Sequence, residues 1–269
     1  MNTRSPRRTW PQLSVALISA AALFTSVDVQ SQNPAGEPKD LSVDLGGGVR
    51  MDFVLISPGA FVMGSEKGKE DQKPLAKVTL TKPFYLGKFE VTQEQWQSIM
   101  HTNPSNWKGT NLPAERISWD DCQIFAAKLG EKVPGYRFSL PTEAQWEYAC
   151  RAGTTTEYSC GDTDTNLLDF AWFVPAANRT THPVGEKKPN PWGLHDIHGN
   201  VWEWCQDWYG PYPGGELTDP TGPATGSSRV IRGGSWSHRS SDLTSAFRLK
   251  FRSDFRFLSI GARMAAVPK

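Results

Sequence analysis

The chain has 269 residues, with 29 Lys and Arg against 28 Asp and Glu and a formal net charge of +1. Such a balance lacks the basic excess with which a dedicated nucleic-acid binder neutralises phosphates, and 21% charged with 38% hydrophobic residues excludes wholesale disorder. Eleven Trp beside 24 Gly and 20 Pro point to a loop-rich domain and against a helical bundle, whose long periodic runs lack such breakers.

Residues 1–31 read as a secretory signal peptide. Arg4, Arg7 and Arg8 form a positive start, residues 13–24 are apolar, and the small Val29 and Ser31 place cleavage after Ser31. The apolar run is shorter than the ~20 residues of a spanning helix, and Arg7-Arg8 carries a faint twin-arginine character. The expected location is therefore periplasmic or extracellular, with no membrane attachment after cleavage. Residues 32–48 read as a flexible polar lead-in, followed by one α+β domain over 49–267. Four cysteines, Cys122, Cys150, Cys160 and Cys205, allow three full disulfide pairings in an oxidising compartment. Their spacing fits no structural zinc site.

Residues 51–63 read as a hairpin turning at Pro58-Gly59, where Gly in the third position suits a type II turn. Two strand-like runs follow between 77 and 90, broken at Pro83. Three helices with capping boxes come next: Thr92 with Gln95, Ser118 with Asp121, and Thr142 with Gln145. They are expected over 92–100, from 118 to a stop at Gly130, and from 142 to near Gly153. Beyond Gly153, Pro and Gly recur, and strand-like pieces fall at 200–204, 229–232, 246–251 and 259–266. So long a stretch with little regular structure needs buried Trp, bound metal or disulfides to hold it.

Four constellations bear on chemistry. Asp196 and Glu203 flank the turn at Gly199-Asn200, which exposes the carbonyls of Gly199 and Val201; hard oxygen ligands of this kind suit calcium. His182, His195 and His198 offer a transition-metal alternative, although hydrogen-bonded histidines are commoner. Glu143 and Glu147, one helical turn apart, resemble an acid/base pair, but their place at a helix start is explained more simply by the helix dipole and pairing with Arg. The segment 229–263 holds eight Lys and Arg against Asp242 and Asp254, read as internal salt links rather than an anion site. No P-loop, dinucleotide Gly motif, GxSxG or HExxH is present.

These pieces cohere in one resemblance. PGAFVMGS at 58–65, FEVT at 89–92, ISWDD at 117–121, RFSLPTEAQWEYA at 137–149, NPWGL at 190–194, GNVWEW at 199–204, RGGSW at 232–236 and GAR at 261–263 are similar to the formylglycine-generating enzyme (sulfatase-modifying factor) family. The resemblance covers about residues 49–266 and implies a variant of the C-type lectin fold: short helices, short strands and much irregular loop. It implies a structural calcium at Asp196, Gly199, Val201 and Glu203, and a pocket at Trp202, Ser235 and Arg248, to which position adds His238.

The family's enzymes bind copper(I) through two cysteines after the RGGS motif and oxidise a substrate cysteine to formylglycine. Here the last cysteine is Cys205, and residues 236–248 offer Ser237, His238, Ser240, Ser241 and Thr244, none of them the soft ligand copper(I) requires. Copper is not expected. Met264 stands where the usual partner of the Cys150 position would be, so that disulfide is not expected either. The sequence thus predicts an exported family member without copper-dependent activity, binding a protein, peptide or glycan through the lectin-like pocket. Family oxidoreductase chemistry by a non-cysteine route, and formylglycine generation itself, are the competing readings.

Overall fold

Among the described residues lie twelve short strands and three α-helices: β1 (Asp40–Asp44), β2 (Arg50–Ile56), β3 (Gly59–Met63), β4 (Ala76–Leu80), β5 (Phe84–Gly87), α1 (Gln93–Met100), α2 (Trp119–Lys132), β6 (Tyr136–Ser139), α3 (Glu143–Arg151), β7 (Trp202–Trp208), β8 (Gly215–Thr218), β9 (Arg229–Arg232), β10 (Arg248–Phe251), β11 (Ile260–Gly261) and β12 (Ala265–Pro268). The structure is a computed structural model describing Met1 and residues 40–174 and 176–269; the predicted leader past Met1, and the lead-in up to residue 39, lie outside the described residues. Among the described residues no helix is long and apolar enough to cross a membrane.

The strands form three sheets, in the orders β1-β2-β5-β12-β6, β10-β9-β7-β11 and β3-β4-β8. The first is antiparallel throughout and joins both ends of the domain, with β12 pairing both β5 and β6. Its inner face packs with α1 and α2 in a core containing Phe53, Trp96, Phe125, Trp202 and Trp204. Trp96 stacks on Phe125 with centroids 5.0 Å apart. Two indoles are tied by polar tips as well as by area: Trp204 Nε1 donates to Ile117 O at 3.0 Å and Trp119 Nε1 to Cys205 O at 3.0 Å.

All three capping boxes form, each with side-chain and backbone bonds reciprocated, because Ser or Thr at the cap and Gln or Asp three residues on satisfy otherwise orphaned helix N–H groups. α2 runs through Gly130 to Lys132; glycine inside a helix costs only about 1 kcal/mol, and burial of Leu129 outweighs it.

Several expectations are corrected. Residues 51–63 are not a hairpin: β2 pairs with β1 and β5, whereas β3 pairs with β4 in another sheet. Gly59 is not in the left-handed region; its role is space, since a Cβ there would lie 2.1 Å from Tyr148 Oη. The supposedly flexible lead-in contains β1, whose Val43 is buried and which hydrogen-bonds along β2 from Asp40↔Val54 to Asp44↔Arg50. The strand expected over 259–266 is split into β11 and β12 so that Arg263 turns inward. All four cysteines are free thiols, and the loop-rich second half is held instead by buried ion pairs and indoles.

Candidate functional site

α3 supplies the first layer. Glu143, Trp146 and Glu147 share one helical face, and all three are buried. Glu147 accepts from Arg151 Nη2 at 2.8 Å and pairs with Arg232. Glu143 takes Arg248 Nε at 2.8 Å and Nη2 at 2.6 Å. Trp146 Nε1 donates to Glu203 Oε2 at 2.7 Å. The two glutamates are thus spent on arginines. Arg232 also donates to the carbonyls of Ala246 and Phe247, fixing the segment after RGGS.

The turn at 196–201 is built by three residues in the left-handed region, Asp196 (φ 55), Gly199 (φ 102) and Asn200 (φ 53). A Cβ on Gly199 would sit 2.4 Å from Trp172 O, so glycine is required twice over. Asn200 donates to Glu90 Oε2 at 2.7 Å and receives His182 N at 3.0 Å, while Val201 N donates to Glu90 Oε1 at 2.9 Å. Glu203 is gripped by Arg263, whose Nη2 lies 2.7 Å from Oε1 and whose Nε is 3.0 Å from both oxygens. Asp196 Oδ2 accepts Gly185 N at 2.7 Å, but its Oδ1 is buried without a partner.

Asp196 therefore fits a cation: an orphaned carboxylate oxygen beside Glu90 and Glu203, three acids against the one buried Arg263. Glu203 fits less well, since Arg263 and Trp146 take both its oxygens. Among the described residues no three Asp, Glu, His or Cys side chains converge as a metal-ligand set, so an ion here would draw on the turn's carbonyls. Burial pushes the Asp196 carboxyl up to about 6, opposed by the Gly185 N–H, and holds Glu90 well above the usual carboxylate range, with Asp196 and Glu203 adding to the rise.

The histidines do not converge. His195 Nδ1 lies 2.8 Å from Lys187 O, His182 stacks on Trp172 with centroids 3.7 Å apart, and His198 Nδ1 lies 2.8 Å from Leu243 O. The transition-metal alternative is not assembled.

Trp202, Ser235 and His238 do meet. His238 Nδ1 is 2.7 Å from Ser235 Oγ and 3.3 Å from Trp202 Nε1. An indole N–H can only donate, so Nδ1 is the acceptor and the imidazole is neutral with its proton on Nε2. Burial lowers the His238 pKa, partly opposed by Asp242. Trp236 lies alongside, edge-on to Trp107 at 5.1 Å. Arg248 does not join this group: it is 2% exposed, packed over the rings of Tyr209 and Tyr212, and saturated by Glu143, Asp71 O and Gly210 O.

A cleft of about 730 Å³ reaches Phe247, but none of Trp202, Ser235, His238 and Arg248 lines it. Phe61 and Tyr148 form one side, the loop carrying Lys69 another, and Ser241, Thr244, Ala246 and Phe247 the wall. Phe247 bridges the two regions, packing against Trp202 at 5.9 Å with Lys69 Nζ 4.3 Å above its ring. No thiol lines the cleft. Cys122, Cys150 and Cys205 are buried, and burial pushes Cys150 up to about 12 and the other two well above the ordinary thiol value; none is poised as a thiolate.

Sequence reasoning missed Glu90, Trp107 and the Trp146–Glu203–Arg263 triad. Glu90 stood inside a recognised motif, and its signal was only a lone acid ahead of a capped helix. The others depend on contacts between distant segments.

The family model described as "Sulfatase-modifying factor enzyme 1-like domain" matches residues 48–267. The chain is 31% identical over 236 residues to the chaperone protein LppX of Paenibacillus barcinonensis, covering 69% of this chain and 78% of that protein. It is 39% identical over 198 residues to a formylglycine-generating enzyme of Streptomyces coelicolor, covering 68% of this chain but 56% of that enzyme. The solved structure of Treponema denticola variable protein 1 superposes with a TM-score of 0.81 at 30% identity, covering 86% of this chain and all of that one. Three short helices among many strands in a C-type-lectin-like arrangement, together with the family match over most of its length, establish that this chain belongs to the sulfatase-modifying factor, or formylglycine-generating-enzyme-like, family.

Proposed function

We propose that this protein is an exported member of its family that binds a protein, peptide or glycan in the 730 Å³ cleft and lacks copper-dependent formylglycine chemistry. The observation that carries this reading is the cleft wall itself. Where the resemblance calls for two soft thiolates, residues 241–247 present Ser241, Thr244, Ala246 and Phe247, and no cysteine follows Cys205. Hydroxyls and a methyl group do not hold copper(I), but they and the flanking aromatic rings suit a ligand that is partly apolar with hydrogen-bonding groups.

A structural calcium at the 196–203 turn belongs to the same reading. Asp196 would hold it through the orphaned Oδ1, with carbonyls of Gly199 and Val201, and Arg263 keeps Glu203 in place beside it. Calcium supplies charge neutralisation and rigidity here, not chemistry.

One contact favours the competing reading, a family enzyme using a non-cysteine route: the 2.7 Å approach of Ser235 Oγ to His238 Nδ1 next to Trp202. Metal analysis of the purified mature protein separates the two, with incubation against a CxPxR peptide as the activity arm. Calcium alone and an unmodified peptide support the binding module. Stoichiometric copper or iron lost on His238→Ala supports an enzyme, and an aldehyde on the peptide would refute the leading reading.

A further inference from the structure

A second, smaller cavity of about 340 Å³ lies on the far side of the Glu143–Arg248 pair. Its walls are apolar, with Met63, Ala144, Trp208, Tyr212, Leu217 and Pro220 among them. At its floor are three charged side chains, Glu143, Asp207 and Arg248.

The arginines here favour Glu143: Arg232 Nε also lies 3.7 Å from its Oε1, and Asp207 has no such partner. Arg248 gives Nε and Nη2 to Glu143 and its Nη1 to the carbonyls of Asp71 and Gly210. Glu143 also receives Tyr212 Oη at 3.1 Å. Asp207 is left over. It is 4% exposed, and its Oδ2 accepts the backbone N–H of Glu143 at 2.8 Å at the start of α3. A helix N-terminus offers only about half a unit charge, and Asp207 takes part in no ion pair among the described residues. Gly222 closes the loop over this carboxylate: a Cβ there would lie 3.0 Å from Asp207 Oδ1.

We propose that this cavity is a second binding site, taking a small organic ammonium with an apolar body through the Asp207 carboxylate. The apolar walls accept the hydrocarbon part, and the cation neutralises a buried carboxylate that has no ion-pair partner among the described residues. Burial, with Glu143 adding to it, pushes the Asp207 carboxyl up to about 7; a bound ammonium works in the opposite direction. A neutral ligand of the same shape gains the walls and not the charge, and an anion would meet both acids. The volume suits a side-chain-sized or aryl-alkyl molecule, and the site is independent of the cleft reading above.

The test uses the mature protein with 2-phenylethylammonium and the neutral 2-phenylethanol, followed by titration calorimetry. The ammonium is expected to bind at least tenfold more tightly than the alcohol. Asp207→Asn keeps an acceptor for the Glu143 N–H and should bring the two to parity. Leu217→Trp fills the cavity from its rim without touching the charges and should abolish saturable binding of both. Equal affinities in the unmodified protein, no saturable binding of the ammonium, or binding unchanged by Leu217→Trp would each overturn the proposal.

Discussion

Arg263 and Glu203 face each other in complete burial, joined through Nε and Nη2, while the second arm of Arg263 donates to Gly87 O at 2.8 Å. One guanidinium thereby ties β5, β7 and the link between β11 and β12 together. Removing one member of a buried pair strands the other, which typically costs about 3–5 kcal/mol. Arg263→Met should lose that much in urea denaturation. The double change Arg263→Met with Glu203→Gln should recover part of it, because the stranded charge is gone; a double variant no more stable than the single one would refute this account.

Calcium should raise the melting temperature of the unmodified protein and leave Asp196→Ala unmoved. Saturation at 100 times Kd adds about 2.7 kcal/mol, worth roughly 5–10 °C for a domain of this size. The readout is a thermal melt in chelator against millimolar calcium. Equal melts would remove calcium from the proposal while leaving the cleft reading intact.

His198 is fully buried, and burial pushes its pKa down to about 4 from an ordinary 6.5, opposed by the Leu243 carbonyl. The unfolded chain takes up this proton below about pH 6.5 and the folded chain resists it, so stability is lost as pH falls through that window. The loss approaches ~3 kcal/mol by pH 4, at about 1.4 kcal/mol per unit. Asp196, Asp207 and Glu90 have raised values and act in the opposite sense. The comparison is therefore between unmodified protein and His198→Gln across pH 4–7. The variant's stability should lack this downward slope, and parallel curves would contradict it.

Gly199 and Gly193 both have left-handed φ values, 102 and 87, but only Gly199 has backbone where a Cβ would go. Gly193→Ala should cost about 1 kcal/mol in chemical denaturation, from conformation alone. Gly199→Ala should cost at least twice that, because the Trp172 carbonyl cannot move without disturbing its bond from Asn200 N. Equal losses would show that the loop at Trp172 yields.

The three helices were legible because capping is local: a Thr or Ser and a Gln or Asp three residues apart determine a helix start regardless of what packs on it. The roles of Glu143 and Glu147 were legible in kind, as partners of arginines, but not which arginines. Arg248 is the instructive miss. Its motif position suggested a pocket residue beside Trp202 and Ser235, yet Glu143, 105 residues earlier, takes its guanidinium instead. The hairpin at 51–63 failed for a related reason. Pro58-Gly59 can turn a chain tightly, but the tyrosine hydroxyl 89 positions downstream from Gly59 and the pairing of β2 with β5 sent its two strands to different sheets.

What the sequence by itself determined is the family, the short-element α+β character and the want of any cysteine beyond Cys205, since each is a matter of local pattern or plain count. Only the tertiary structure decided which carboxylates are paired with arginine, that Trp202, Ser235 and His238 meet while Arg248 does not, and that Asp207 stands unmatched beneath a cavity. Those outcomes turn on which charges share a low-dielectric interior, and burial and distance between remote segments are properties that no local stretch of residues contains.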